Sequence, residues 1–146
     1  MKALRSRSVL TSAETRLGRF RIAEEDGEQT MKILTRYLSP GSPEIALAQV
    51  TIGTLYLREH KIAQAEKILP AAIEAERRIL PNETTLANGI RTLAALRVQQ
   101  RAWSDAETLY REAIGIYERK FGAEHPDLAP LLREYAVVLK HRGARA

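Results

Sequence analysis

Apolar residues recur along this chain at steps of three and four, the spacing that places side chains on one face of an α-helix. The clearest stripe runs through 104–121, from Ala106 through Tyr110 and Ile114 to Phe121. Strict alternation of apolar and polar residues, which is typical of β-strands, is nearly absent. The pattern predicts seven helices, at 3–17, 20–38, 43–59, 62–80, 83–100, 103–121 and 126–142.

Short polar signals mark where several of these helices should begin. A hydroxyl, amide or carboxylate side chain at the N-cap can accept a bond from a free backbone N–H, and proline suits the first helical turn. Pro70 lies inside 62–80 and predicts a kink or a break, because an interior proline removes a helical hydrogen bond. The predicted caps are Ser42 before Pro43, Asn82, Ser104 in a capping box with Glu107, and Asp127 with Pro130 in the first turn.

A self-similar block recurs every 41 to 42 residues. It reads GRFRIAEED at 18–26, HKIAQAEKI at 60–68 and RAWSDAETL at 101–109. In each copy a large apolar residue stands three positions before an Ala-Glu pair. A fixed period of this length indicates stacked helical hairpins, an architecture that binds other proteins more often than it catalyses reactions.

Aligned in register, the copies resemble tetratricopeptide repeats, and more narrowly the 42-residue variety found in kinesin light chains and many bacterial proteins. The best match is Trp103–Gly143, which reads WSDAETLYREAIGIYERKFGAEHPDLAPLLREYAVVLKHRG. The resemblance implies an all-α fold, a right-handed α-solenoid of antiparallel helix hairpins with about three and a half repeats. We expect one domain over 1–146, made of a basic segment at 1–21 and a repeat body at 22–146.

The resemblance also implies a binding surface, because the first helix of each hairpin lines a concave groove that holds an extended or helical peptide. The family often grips the peptide backbone with a pair of asparagines. Here those pairs are Val50-Thr51, Arg91-Thr92 and Arg133-Glu134. The implied groove residues are Leu47, Val50, Thr51, Thr54, Leu57, Arg58, Asn88, Arg91, Thr92, Ala95, Val98, Gln99, Arg133, Glu134, Val137, Lys140 and His141.

Arg91 and Arg133 occupy equivalent places in successive repeats. Guanidinium groups pair well with carboxylates, so we expect an acidic peptide or a free C-terminus as the partner. Apolar groove residues such as Leu47 and Val98 would supply most of the binding energy. The alternative is that both arginines are solvated, or that they pair with neighbours such as Glu134.

The net charge of +5 lies entirely near the N-terminus. Residues 1–21 carry six basic groups against Glu14 alone, which leaves 17 basic and 17 acidic groups in 22–146 out of the 23 and 18 in the chain. We therefore do not expect the repeat body to bind nucleic acid. A second hypothesis is that 1–21 binds nucleic acid or an anionic surface, and a third is that the chain is the regulatory repeat portion of a larger signalling protein.

Nothing in the sequence predicts an enzyme, a cofactor or a metal site. There is no cysteine, no nucleophile–base pair and no glycine-rich phosphate loop. The histidines, His60, His125 and His141, form no paired-ligand pattern. Apolar stretches are too short to span a bilayer, so we expect a cytoplasmic protein with no membrane contact. Trp103, Tyr110 and Tyr117 are predicted to pack in the core.

The last predicted helix has no second helix to complete its hairpin. We expect Tyr135, Val138 and Leu139 to lack part of their cover, because repeat arrays normally close such an end with a capping element. A second copy of the chain, a partner or a downstream segment could supply the cover. Homo-oligomerisation through this helix is therefore an expectation of the sequence.

Overall fold

The computed structural model describes residues 12–79 and 83–145, with side chains described for 18–79 and 83–143. In these ranges every element of secondary structure is a helix and there is no strand, as predicted. The helices are α1 (Ser12–Tyr37), α2 (Pro43–Arg58), α3 (Ile62–Ile79), α4 (Thr84–Gln99), α5 (Trp103–Phe121) and α6 (Leu128–Arg145).

Neighbouring helices pack against each other in chain order. The most extensive contacts join α2 to α3 and α4 to α5, so that each pair forms a hairpin, while α1 packs on α2 and α6 on α5. We call α2, α4 and α6 the A helices and α1, α3 and α5 the B helices. The stack matches the predicted solenoid of helical hairpins.

Small residues of both the A and the B helices allow this close packing. The alanines of two Ala-Glu blocks, Ala65 and Ala106, are completely buried. A Cβ on Gly53 of α2 would stand 2.4 Å from Cδ2 of Leu69, so only glycine fits where α2 crosses α3. Tyr110 and Tyr117 are buried as predicted, and Trp103 is half-buried against the same core.

Both A-to-B turns have one residue with left-handed backbone geometry. His60 has φ 60° and Arg101 has φ 59°, values that non-glycine residues adopt at some cost. The next residue closes each helix, because the N–H of Lys61 donates to Tyr56 O and that of Ala102 to Arg97 O, both at 2.8 Å. The two turns are therefore the same structure at equivalent repeat positions.

The first predicted hairpin is wrong over the described residues. Two helices at 3–17 and 20–38 were expected, but α1 runs without a break from Ser12 to Tyr37, straight through Gly18. Among the residues that the structure describes, no other segment lies within 4 Å of a Cβ placed on Gly18, so none of them packs against the helix there. Residues 3–11 of the predicted first helix lie outside the described part of the chain.

Several helix-start predictions also need correction. Ser42 occupies the N-cap of α2 with Pro43 at the first position, but its hydroxyl makes no capping bond. The capping box of Ser104 and Glu107 is wrong, because α5 already includes Ser104 and its N-cap is Ala102, two residues earlier.

The remaining helix-start predictions fare differently. Glu83 is the N-cap of α4, and the predicted cap Asn82 lies outside the described residues. Helix α6 begins directly after Asp127, with Pro130 in its first turn as expected.

Of the kink or break predicted at Pro70, the break is wrong, since α3 is one helix from Ile62 to Ile79. Its neighbours Leu69 and Ala72 are almost completely buried. Packing on both sides of the proline therefore keeps the helix continuous despite the lost hydrogen bond.

Candidate functional site

Most of the predicted groove residues reach the surface of the A helices. Leu47 and Val137 expose half of their area, although both are large and apolar. The prediction that Val50 lines the groove is wrong, because Val50 is only 8% exposed and belongs to the core. The exposed groove residues are Leu47, Thr51, Arg58, Asn88, Gln99, Arg133, Val137, Lys140 and His141, and the half-buried ones are Thr54, Leu57, Arg91, Thr92, Ala95, Val98 and Glu134.

Threonines form part of the junction between α2 and α4. The hydroxyl of Thr54 donates to Val50 O at 2.8 Å, and that of Thr92 donates to Asn88 O at 3.0 Å. The two hydroxyl oxygens lie 3.5 Å apart, so the side chains touch across the junction. This contact identifies the faces by which successive A helices meet.

Arg91 of α4 is paired with Glu134 of α6. Its Nε lies 3.1 Å from Oε1 and 3.0 Å from Oε2 of the carboxylate, and this bonding raises the pKa of Arg91. The hydroxyl of Tyr110 donates to Oε1 of Glu134 at 3.2 Å, and burial raises the pKa of Tyr110. The structure thus realises the pairing alternative for Arg91, whereas Arg133 is exposed and has no ion pair among the described residues.

Two further groove residues are held by aromatic side chains from B helices. The hydroxyl of Tyr117 donates to Oδ1 of Asn88 at 2.6 Å. The ring of His141 stacks on Trp103 with centroids 4.2 Å apart and planes 6° apart. Both contacts fix side chains that the sequence had assigned to the groove.

A concavity lies between α1 and α2. It has a volume of about 690 Å³, which is within the usual range of ligand pockets, and its walls are mostly apolar. We call it the α1–α2 pocket. It is lined by Ala23, Asp26, Gly27, Thr30, Leu34, Glu44, Leu47, Ala48, Thr51, Ile52, Thr54, Leu55 and Arg58.

Charged groups lie at the edges of this pocket. Asp26, Glu44 and Arg58 make no ion pair with any other described residue. Glu44 lies in the first turn of α2 and Arg58 ends the helix, so the two charges stand near opposite ends of α2. Four predicted groove residues (Leu47, Thr51, Thr54 and Arg58) meet here, while those on α4 and α6 lie elsewhere on the A-helix face.

The glutamate of each Ala-Glu block makes an ion pair with the following hairpin. Glu24 accepts a bond of 2.5 Å from Lys61, and Glu66 one of 2.7 Å from Arg97. Glu107 accepts from Arg142 and, at 2.9 Å, from Arg111. We call these pairs the glutamate ladder. The glutamates are visible in the repeated block, but their partners were missed because they come 31 to 37 residues later in the chain.

A second carboxylate, that of Glu59, lies beside the first ion pair of the glutamate ladder, between Glu24 and Lys61. Hydrogen bonds with Glu59 and Lys61 lower the pKa of Glu24, whereas burial and the bond with Glu24 raise the pKa of Glu59. The two acids therefore differ in proton affinity, and Glu59 is the one that holds a proton more readily.

The C-terminal helix is better covered than the sequence predicts. Val138 is completely buried, so the expectation that it lacks cover is wrong, whereas Tyr135 is only half-buried against the core, as expected. Val138 is covered because it faces α5, which packs against α6. Leu139 is 41% exposed and Leu132, on the same stripe, is 43% exposed.

Other kinds of site are not found in the described residues. Within 12–79 and 83–145, no three His, Asp or Glu side chains are grouped so that they could hold a metal ion. No helix in this part of the chain is long and apolar enough to cross a membrane. Of the predicted basic segment 1–21, the described side chains Arg19 and Arg21 are exposed on α1, and residues 1–11 lie outside the description.

These features define a class of protein, the helical repeat arrays whose paired helices leave one face for a partner. The tetratricopeptide repeat model matches residues 3–44 and 89–127, which together are more than half of the chain. The chain therefore belongs to the tetratricopeptide repeat family, and its likeness to the kinesin-light-chain type is confirmed. Repeats of this family generally mediate protein–protein interactions. No curated protein matches the chain.

Proposed function

We propose that this chain is a non-catalytic interaction module that holds a segment of a partner protein along its A-helix face. The observation that carries the proposal is the α1–α2 pocket, an apolar concavity of about 690 Å³ in which four groove residues predicted from the sequence come together. An apolar groove beside an exposed helix suits the insertion of an amphipathic helix.

The pocket's chemistry favours a particular partner. It runs along α2, a helix of 16 residues, so a helical segment about four turns long would fill it. Leu47 and Leu55 would meet the apolar stripe of that segment. Arg58 would select an acidic residue at one end and Glu44 a basic residue at the other, because each charge is otherwise unpaired among the described residues.

An acidic partner finds further support beyond the pocket. Arg133 and Lys140 are both exposed on α6, on the face that continues from α2 through α4. Arg91 would contribute only by leaving Glu134, so it is a weaker candidate than Arg133. A peptide that extends from the pocket towards α6 would meet these two basic groups with its acidic end.

A selected peptide tests the proposal. Helical peptides that bind the full chain would be chosen from a random library, and their affinities measured by fluorescence anisotropy. Leu47→Asp should weaken binding at least tenfold, because it places a charge against the apolar stripe. Ile33→Asp is the matched control, since Ile33 is similarly exposed at 57% but does not line the pocket. Equal affinities for the two variants would refute the site.

Charge selection has its own test. Arg58→Ala should lower the affinity for peptides with an acidic end several-fold and leave neutral peptides unchanged. Arg78→Ala serves as the control, because Arg78 is exposed on α3 and does not line the pocket. Equal losses for acidic and neutral peptides would mean that Arg58 contributes packing and not selection.

A further inference from the structure

Both turns from an A helix to a B helix hold a basic residue in strained geometry. His60 and Arg101 have φ near 60°, a conformation that is unfavourable for residues with a side chain and that glycine adopts freely. In the repeat register, the equivalent residues of the first and last repeats are glycines, Gly18 and Gly143. The two turns thus keep a basic side chain where glycine would relieve the backbone, and strain of this kind points to a function of the side chain.

The two basic side chains lie at one edge of the stack, and both are exposed. Neither makes an ion pair with another described residue. The A helices that end at these turns touch through Thr54 and Thr92, so we place their axes about 10 Å apart. The turns are spaced by a similar distance, because the same backbone hydrogen bonds close both of them.

This edge has an excess of unpaired positive charge because its glutamates are bonded within the chain. The three glutamates of the ladder lie here, and each accepts from a basic residue of the following hairpin. Helix α1 reaches the same edge, since Glu24 contacts Lys61 of the first turn. The exposed basic residues of the edge without an ion pair in the described chain are Arg19, Arg21, Arg58, His60, Arg101 and Lys140, against the acidic Glu25 and Asp105.

We propose that this edge, which we call the basic edge, binds an extended acidic segment of a partner protein that crosses from His60 to Arg101. A guanidinium group and a protonated imidazole both donate charge-assisted hydrogen bonds to carboxylates. Neither residue lines the α1–α2 pocket, so the basic edge is a second binding surface. It does not rest on the function proposed above.

The arrangement of charges favours a peptide over a nucleic acid. An extended peptide advances about 3.3 Å per residue, so acidic residues three positions apart would match turns about 10 Å apart. A nucleic acid has a phosphate on every nucleotide, and some phosphates would lie against the ladder carboxylates, of which Glu66 is 42% exposed. Single strands also need aromatic rings to stack on, but the ring of Trp103 at this edge is already stacked on His141.

A designed peptide tests the basic edge in the full chain. The probe is a fluorescein-labelled peptide of about twelve residues with glutamate at every third position, and its glutamine counterpart is the neutral control. Binding would be measured by fluorescence anisotropy at low salt. His60→Asn with Arg101→Asn removes both basic groups, and asparagine tolerates the left-handed backbone. We expect this pair to bind the acidic peptide about three- to tenfold more weakly, with a smaller difference in high salt.

A matched control removes two basic groups from the opposite edge. Arg78 and Arg119 are exposed in the last turns of α3 and α5, so Arg78→Gln with Arg119→Gln should leave the affinity for the acidic peptide nearly unchanged. An equal loss in this control would mean that only net charge matters, and it would overturn the basic edge. Equal affinities of the natural chain and the asparagine pair would overturn it too.

A glycine pair separates binding from folding. His60→Gly with Arg101→Gly should raise the melting temperature, because glycine adopts this backbone without strain, and yet weaken the acidic peptide as much as the asparagine pair does. A lower melting temperature would mean that the basic residues stabilise the turns, and it would overturn the inference that the strain serves binding.

Two further measurements fix the class of partner and the independence of the site. An oligothymidylate of equal charge that binds more tightly than the acidic peptide, and loses this affinity in the asparagine pair, would overturn the peptide and assign the edge to nucleic acid. Neutral helical peptides selected for the pocket should bind the asparagine pair as they bind the natural chain. The pocket and the basic edge can therefore fail separately.

Discussion

The carboxylate of Glu76 lies directly against Gly89, so close that a Cβ on Gly89 would stand 2.9 Å from Oε2. Glu76 is 1% exposed, and neither of its carboxylate oxygens has a hydrogen-bond partner in the described part of the chain. A buried carboxyl without a partner is stable only in its neutral form, and burial accordingly raises the pKa of Glu76.

This contact predicts that Glu76 makes folding depend on pH. With the folded-state pKa above the unfolded value of 4.5, the folded chain holds the proton more tightly. Stability is therefore complete below pH 4.5 and falls as the pH rises through the folded pKa, by up to about 1.4 kcal/mol per pH unit. Glu76→Leu, which places the residue found at the equivalent Leu34, should remove this dependence.

Urea unfolding of both proteins between pH 4 and pH 8 would measure the effect. The advantage of Glu76→Leu should grow with pH above roughly 4.5 and then level off, since the leucine does not titrate. A constant difference across this range would contradict a raised pKa for Glu76. Glu74→Leu, on an exposed position of the same helix, controls for the change in composition.

The pair of Arg91 and Glu134 should stabilise the junction of α4 and α6. Because both side chains remain about one-third exposed, we expect a coupling energy of only about 1 kcal/mol in a double-mutant cycle of Arg91→Ala and Glu134→Ala. Glu134→Ala also removes the partner of the Tyr110 hydroxyl, so it should cost more than Arg91→Ala. Chemical denaturation of the four proteins gives both quantities, and additive losses would refute the coupling.

The ion pairs of the glutamate ladder should contribute different amounts to the free energy of unfolding, according to how deeply each glutamate is buried. Glu107 is 7% exposed and bonded to two arginines, so Glu107→Ala should lower the free energy of unfolding by about 2 kcal/mol. Glu66 is more exposed, and Glu66→Ala should cost less than about 1 kcal/mol. Thermal unfolding in low and high salt would compare them, and the smaller effect should shrink further in salt. Equal losses would mean that burial does not set the strength of these pairs.

Two glycines predict opposite outcomes for the same substitution. Gly53→Ala should destabilise by about 1–3 kcal/mol, because its Cβ would overlap the side chain of Leu69. Gly115→Ala should stabilise by up to about 1 kcal/mol, since its Cβ meets only the flexible end of Arg119, at 3.4 Å, and alanine favours the helix. Melting temperatures of the two variants provide the comparison, and a loss of stability in both would show that helix propensity does not dominate at Gly115.

Helical periodicity predicted five of the six described helices to within three residues at each end. It succeeded there because each of these helices has an apolar stripe that its neighbours cover. It failed at Gly18, where the local signal for a turn competes with a continuous helix and no other described segment packs against the glycine. The sequence alone therefore could not tell which of the two conformations the chain adopts at Gly18.

The candidate site was predictable in position but not in charge. The repeat register placed Leu47, Thr51 and Arg58 on one face, and all three line the pocket. It could not show that Glu134, 43 residues away in sequence, neutralises Arg91. Val50 was misplaced for a simpler reason, since a shift of one residue turns a side chain by about 100° around the helix and into the core.

The glutamate ladder has a consequence for the shape of the binding face. Each pair crosses a single junction between hairpins, and the angle at that junction sets the pitch at which α2, α4 and α6 follow one another. A long partner that touches all three helices would therefore meet contact sites whose spacing depends on these ion pairs. Conditions that weaken the ion pairs would change this spacing, and with it the length of partner that fits the three helices. No residue of the binding face itself would have to change.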